Sequence, residues 1–499
     1  MSTIATSSHR RTPLHSRRCL PRCCPGRSRR LDRKRRRRLA RKARAARRQL
    51  QGIHQALPRP ARSLLDGLAG AFSRPTFLRF VVLALATILT IGQRTVCNLL
   101  RTLGALAPGH PSSYHRVFSK RCWSSWRLAC GLAGWVFDHL VPEGRVLLAG
   151  DDTVDEHPGA KVFGKGCHRD PVRSTRSFTA FRWGHKWVVL AVLVRFPFTR
   201  RLWALPVLVA LYRGETDNRK AGRRHKTPQV LLRQLCCVLL RWFRQRCFVL
   251  TGDGNYASHE LARFSARRRG RLTLVSPFYP DANLYEPPPP YSGHGRPRVK
   301  GKELPSPQEV VVRSRRTKLN VAWYGGGRRD VAVVSGTGHW YKSGQGLVAV
   351  RWVFVHDLTG THRDEYFFTT DVRMSAAEVI ETYTGRWNLE TTFQEMRSYL
   401  GLETTRGWKE KTVRRAAPCL FGLYTLVAAL YSQLSQRYAR VRAVQWAGKQ
   451  DVTFSDAITA VRRWLWLEWV FAIPGYTQAF QKLARPFRCM LLHALAPAA

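Results

Sequence analysis

Apolar residues along this chain change their spacing twice. From Leu64 to Leu140 they recur every three to four positions, in PTFLRFVVLALATILTIG, then QRTVCNLLRTLGAL, then SSYHRVFSKRCWSSWRLACGLAGWVFDHL, and Gly92 parts the first two segments into a helix-turn-helix outline. Short apolar runs follow. Arg145 to Gly150 predicts a strand ending in Asp151-Asp152-Thr153, and Lys186 to Phe196 and Leu202 to Tyr212 predict two more. Pro228 to Phe243 predicts a helix, Cys247 to Gly252 a fourth strand ending in Asp253, and Tyr256 to Ser265 a second helix. Between Arg271 and Val355 the β-rich runs LTLVSPFY, EVVVRS, LNVAWYGGG, DVAVVSG and LVAVRWVFVH occupy a stretch too long for a bare loop. Helical spacing returns from Ser375, and Thr412 to Arg437 and Ser455 to Phe471 predict amphipathic helices, the first interrupted by Pro418.

Ser375 to Gly401 (SAAEVIETYTGRWNLETTFQEMRSYLG) is predicted as one long helix. Ser375 and Glu378 form a capping box, and Gly385 weakens the helix without ending it. At 100° per residue Tyr383, Arg386, Glu390 and Arg397 fall within an arc of roughly 60°. Leu389, Phe393, Met396 and Leu400 form the adjoining apolar stripe, while Glu381 and Glu395 point away from Glu390. Glu390 is thus a carboxylate beside the core and flanked by cations.

The order strand, strand, strand, helix, strand is that of a ribonuclease H-like core, in which the first and fourth strands are neighbours and their terminal acids meet at one edge. The spacing Tyr383-x2-Arg386-x3-Glu390-x6-Arg397, followed by FQEMRSYLGLETTRGW, resembles the Y-R-E-K signature of bacterial insertion-sequence transposases of the DDE class, with Arg397 where that signature has Lys. Charge is kept there, but a planar fork replaces a flexible point charge. The resemblance spans roughly residues 65 to 435. It implies an α/β fold: a ribonuclease H-like catalytic core interrupted by a β-rich insertion, with an N-terminal helical domain and C-terminal helices. The expected divisions are a basic disordered arm over 1–62, a helical DNA-binding domain over 63–142, and the first part of the core over 143–270. The insertion follows over 271–355, the second part of the core with the signature helix over 356–440, and a C-terminal helical region over 441–499.

Charge narrows the partners. The chain is 44% hydrophobic, enough for a large core, yet its formal net charge is +54, which polyanions relieve. Double-stranded DNA is the expected partner, with Arg94, Thr95 and Arg101 available on the second helix of the helix-turn-helix outline. Residues 1 to about 60, including RSRRLDRKRRRRLARKARAARRQL, read either as a non-specific DNA-binding arm or as a dispensable tail. The 12 cysteines show no C-x2-C zinc pairs, so reduced thiols are expected. No secretory signal is evident, and the apolar run Phe80 to Ile91 is too short for a membrane span. A cytoplasmic, nucleoid-associated protein without a membrane partner is the expectation.

The resemblance assigns the chemistry. Asp151, Asp253 and Glu390 are expected to be catalytic and to hold two Mg²⁺ ions, with Mn²⁺ able to substitute, because hard cations require carboxylate oxygens. Asp152 is the alternative first acid, since Asp151 and Asp152 face opposite sides of a strand; D-x-T at such a strand end favours Asp151. Arg386 and Arg397 would contact phosphate near the scissile bond, and Tyr383 a phosphate nearby. The implied reaction is cleavage at transposon ends and transfer of the freed 3′-hydroxyl into target DNA, by a homodimer on paired ends. A domesticated, inactive DNA-binding protein and a ribonuclease H-like nuclease without strand transfer are the alternatives.

Other features read otherwise. Gly159-x4-Gly164-Lys165 approximates a phosphate-binding loop but has Gly166 where Mg²⁺ would need a hydroxyl. His157, His168 and His185 match no zinc spacing and are expected at the surface or on DNA. Trp187, Trp323, Tyr324 and Trp387 read as core or sheet residues, one of which could stack on a flipped base.

Overall fold

The computed structural model describes residues 25–497 apart from 171, 172, 176, 269 and 292, with the side chains of the first helix described from residue 35. Two compact units result, residues 1–49 and residues 50–499. Helix α1 (Pro25–Gln55) corrects the expectation of a wholly disordered arm: its Ala, Leu and Arg residues are strong helix formers, and like charge alone does not stop the helix. Side chains 35–49 are almost all exposed. Residues 1–24 of the expected arm lie outside the described residues.

In the larger unit, helices α2 (Arg59–Asp66), α3 (Arg74–Leu89), α4 (Val96–Leu103), α5 (Pro111–Ser119) and α6 (Ser125–Leu140) realise the helical region. Strands β1 (Val146–Glu156), β2 (Gly166–Arg169), β3 (Phe181–Arg195) and β4 (Leu202–Tyr212) follow, then α7 (Glu215–Lys220), α8 (Pro228–Trp242), β5 (Phe248–Gly252), α9 (His259–Ala266) and β6 (Leu272–Pro277). β1 pairs antiparallel with β3, β3 antiparallel with β4, β1 parallel with β5, and β5 parallel with β6. The spatial order β4-β3-β1-β5-β6 therefore sets the ends of β1 and β5 side by side, with Gly150 opposite Gly252. β1 runs six residues beyond that pairing because β3 is long enough to carry it: Asp151 to Glu156 pair with Val189 to Gly184.

The β-rich segment continues this same sheet. It comprises β7 (Leu284–Tyr285), β8 (Glu303–Leu304), α10 (Pro307–Arg313), β9 (Thr317–Ala322), β10 (Arg328–Lys342) and β11 (Gly346–Asp357), and β12 (Glu365–Thr369) joins β11 to β6. EVVVRS is helical where a strand was expected. Ser306 and Glu309 form a capping box and Pro307 stands at the first helical position, so the helix start overrides the β-branched run.

Helices α11 (Ala376–Gly385) and α12 (Asn388–Leu400) replace the single signature helix. Between them the bonds tighten to three-residue steps: Leu389 N–H donates to Arg386 O at 2.9 Å and Glu390 N–H to Trp387 O at 3.1 Å. Asn388 Nδ2 takes up the carbonyl of Gly385 at 2.9 Å. Gly385 itself lies against β4, where a Cβ would stand 2.9 Å from Leu202 Cδ1. Helices α13 (Glu410–Ser432), α14 (Gln436–Ala439), α15 (Phe454–Leu465), α16 (Pro474–Lys482) and α17 (Arg485–Leu495) complete the chain. Pro418 lies inside an unbroken α13, which is long and apolar enough to cross a membrane but is mostly buried in this fold. Residues from α3 to α6, the sheet, α8, α12, α13 and α15 share one hydrophobic core, so the helical region and the sheet are not separately packed.

Candidate active site

Asp151 stands one residue past the paired segment of β1 and β5, and Asp253 directly follows β5. The Asp253 carboxylate accepts the Asn255 N–H at 3.0 Å and caps a short turn, Gly254–Tyr256. That turn lies close over the strand end, where a Cβ on Gly252 would come within 2.7 Å of Tyr256 Cβ. Ser276 Oγ on β6 donates to Gly252 O at 2.9 Å and so fastens the same corner.

Glu390, in the first turn of α12, completes the acidic set through an arginine. Arg386 Nη1 donates to Asp151 Oδ2 at 2.7 Å and its Nη2 to Glu390 Oε1 at 3.2 Å. Burial pushes the Asp151 carboxyl up to about 8, with the charges of Asp253 and Asp152 adding to the rise and Arg386 opposing it. Burial likewise raises Asp253 and Glu390, and each carboxylate also feels a neighbouring acid. Burial alone would lower Arg386; the fields of Asp151, Tyr383, Glu390 and Asp253 raise it instead. The site is a knot of crowded acids around a single buried cation. An all-carboxylate donor set with raised proton affinity suits a hard divalent cation such as Mg²⁺.

Asp152 faces the other side of β1. Lys186 Nζ reaches it at 2.8 Å and Tyr256 OH donates to it at 3.2 Å, so its charge is already matched. Asp151, and not Asp152, shares Arg386 with Glu390. The other expected contacts fall differently. Tyr383 packs on Phe367 with ring centroids 4.3 Å apart and is buried. Arg397 donates to Thr153 Oγ1 and, at 3.1 Å, to Val154 O, and pairs with Glu403 at 3.3 Å, thereby tying α12 to β1. Arg94 precedes α4, whose cap is Thr95, and donates to Tyr399 O at 2.6 Å and to Gly92 O. That corrects its placing on the second helix: its guanidinium serves the last turn of α12, and burial pulls it down to about 10. Arg101 remains exposed.

Sequence reasoning missed Glu365 on β12. Burial raises its carboxyl, Tyr324 OH lies 3.4 Å away, and the charge of Arg386 opposes the rise. No local signal marks it, since it depends on β12 lying beside β6. His157 and His185, expected at the surface, are 5% and 2% exposed. Lys165 of the loop that approximates a phosphate-binding motif donates to Gly159 O at 3.0 Å, within its own loop. Trp187 and Trp323 are buried as expected, whereas Trp387 is 46% exposed beside Tyr324.

No curated protein matches the chain. Among solved structures, the piggyBac transposase synaptic complex with hairpin DNA superposes at a TM-score of 0.32 and 9% identity, over 85% of this chain and 77% of that one, too loosely to bear on fold or function. A family model described as "Archaeal putative transposase ISC1217" matches residues 344–434, which include β11, β12 and the Arg386–Glu390 pair. The model of the DDE superfamily endonucleases matches residues 64–330, more than half of the chain, including Asp151 and Asp253. With both acids inside that match and Glu390 joined to the first of them by Arg386, the chain belongs to the DDE superfamily endonuclease family.

Proposed function

We propose that the protein is a transposase that cleaves DNA at transposon ends and transfers the freed 3′-hydroxyl into target DNA. The observation that carries this reading is the Arg386 bridge, which gathers Asp151 and Glu390 beside Asp253 at the adjoining ends of two parallel strands. The strand order β4-β3-β1-β5-β6 supports a ribonuclease H-like core, and the spacing of Tyr383, Arg386 and Glu390 supports the Y-R-E-K branch. Asp151, Asp253 and Glu390 would hold Mg²⁺, which when bound would polarise the scissile phosphate and lower the pKa of the attacking hydroxyl.

The chain's own residues do the rest. Protonated, crowded carboxyls release protons more readily once a cation neutralises their repulsion, so Asp151 is held poised for that exchange. Arg386 keeps Asp151 and Glu390 oriented until then, and a guanidinium bonds to phosphate as well as to carboxylate. Lys186 and Tyr256 hold Asp152 out of the way. A homodimer on paired ends and a cytoplasmic, nucleoid-associated location complete the reading.

The test is incubation of the full chain with its own flanking DNA, a target plasmid and Mg²⁺. Nicks at the element ends followed by joined products support the proposal. Nicking without joining reduces it to a nuclease, and the absence of both, with DNA binding intact, to a binding protein.

A further inference from the structure

Four residues along β1 from the catalytic Asp151, on the same strand face, Asp155 is fully buried against two histidines. Asp155 Oδ1 lies 3.4 Å from His185 Nδ1, and Asp155 Oδ2 lies 3.4 Å from His157 Nε2. Among the described residues, this is the set of three metal-capable side chains whose ligand atoms all lie within 4.8 Å of one another. We propose that Asp155, His157 and His185 form a site for one transition-metal dication of the zinc kind, separate from the catalytic carboxylates.

The tautomer of His185 carries the argument. Its Nε2 stands 3.0 Å from the backbone carbonyl of Phe163. A carbonyl oxygen can only accept, so Nε2 bears the hydrogen. In the neutral ring Nδ1 is then a bare lone pair directed at a carboxylate oxygen, and two lone pairs do not face one another without a positive centre between them. His185 Nδ1 and Asp155 Oδ2 make no hydrogen bond, although both residues are almost wholly buried.

The positive centre is either a proton or a metal ion, and the spacing separates them. A proton shared between imidazole and carboxylate draws the atoms to about 2.7–2.9 Å. Ligands at about 2.1 Å from a tetrahedral zinc stand about 3.4 Å apart, the separation of each imidazole nitrogen from the carboxylate oxygen that faces it, Oδ1 for His185 and Oδ2 for His157. The Phe163 carbonyl is the outer partner that a metal-bound imidazole ordinarily has. A void of about 10 Å³ beside the two imidazoles, bounded by Thr405, Gly407 and Val413, is the size of one water, which could be a fourth ligand. Two imidazoles select against Mg²⁺, which prefers oxygen alone. The ion would join β1 to β3 and to the loop that carries Phe163, four residues along the strand that presents Asp151.

The test is metal analysis of the purified full chain after equilibration with zinc and removal of loose ions. About one zinc per chain is expected in the wild type and in the Asp253→Asn/Glu390→Gln double variant, with at least a tenfold loss of affinity in His157→Gln. Should His157→Gln fail to fold, the wild type exchanged with Co²⁺ decides: intense visible bands of a tetrahedral, nitrogen-ligated cobalt support the site, and their absence overturns it. Wild type without zinc also overturns it, as does zinc that is lost in the catalytic double variant and kept in His157→Gln. Neither result depends on whether the enzyme transposes.

Discussion

Arg386 and Asp151, 235 positions apart, form a buried salt bridge of 2.7 Å, and the same guanidinium holds Glu390 at 3.2 Å. Replacing Arg386 with Ala would leave Asp151 and Glu390 crowded without a counter-charge. Breaking one side of such a buried pair costs about 3–5 kcal/mol. Urea denaturation in EDTA should show a loss of that order, and the DNA ends should be engaged more weakly in a mobility shift. Unchanged stability would mean that the bridge is not formed in solution.

Glu390→Gln keeps shape and one acceptor but removes charge. DNA binding should survive while nicking with Mg²⁺ or Mn²⁺ falls by several orders of magnitude, because a neutral amide holds a hard cation poorly. Normal cleavage by this variant would remove Glu390 from the site.

Glu395, on the opposite side of the same helix, has a different role. Arg201 donates to it at 2.7 Å and Tyr424 OH at 2.6 Å, and it is buried. An isolated look at the helix makes Glu395→Gln innocuous; the tertiary pair makes it destabilising by about 3 kcal/mol. Thermal unfolding should fall by several degrees, while the metal dependence of any remaining cleavage stays that of the wild type.

The raised carboxyl of Asp151 also predicts a pH dependence. Its folded value of about 8 lies above the unfolded value of about 3.9, so the folded state binds the proton more tightly. Stability of the metal-free protein should therefore fall as pH rises from about 4 to about 8, with Asp253 and Glu390 contributing in the same direction. Mg²⁺ should flatten the slope. Denaturant midpoints at pH 6 and pH 9, with EDTA and with Mg²⁺, measure it; a midpoint that rises with pH in EDTA would contradict the crowding of these acids.

Removing residues 1–49, the separate unit that holds the exposed basic part of α1, should reduce the slope of log affinity against log salt, because each phosphate contact releases counterions. An equal slope in the truncated chain would assign DNA binding to the larger unit alone.

Much of this was readable along the chain because the causes are local. Leu202–Tyr212 is a strand as its apolar run predicts, Pro228–Trp242 and Phe248–Gly252 fall within a residue of their expected ends, and the Ser375–Glu378 capping box starts α11. Facial spacing brought Arg386 and Glu390 together, since residues four apart on a helix are neighbours. Where two local signals competed the reading failed, as at EVVVRS, where the capping box prevailed over β-branching.

What the sequence by itself determined is which short segments are helix or strand and which residue types stand at their ends, since hydrogen bonds within a helix and alternation along a strand act over a few residues. Tertiary structure decided everything that joins distant segments. It turned Arg94 to the end of α12, buried Glu395 against Arg201, set Gly385 close against β4, and closed His185 on Asp155 across β1 and β3. Those relationships depend on strand order and register, and burial then makes each unmatched charge costly enough to require the partner that the fold brings to it.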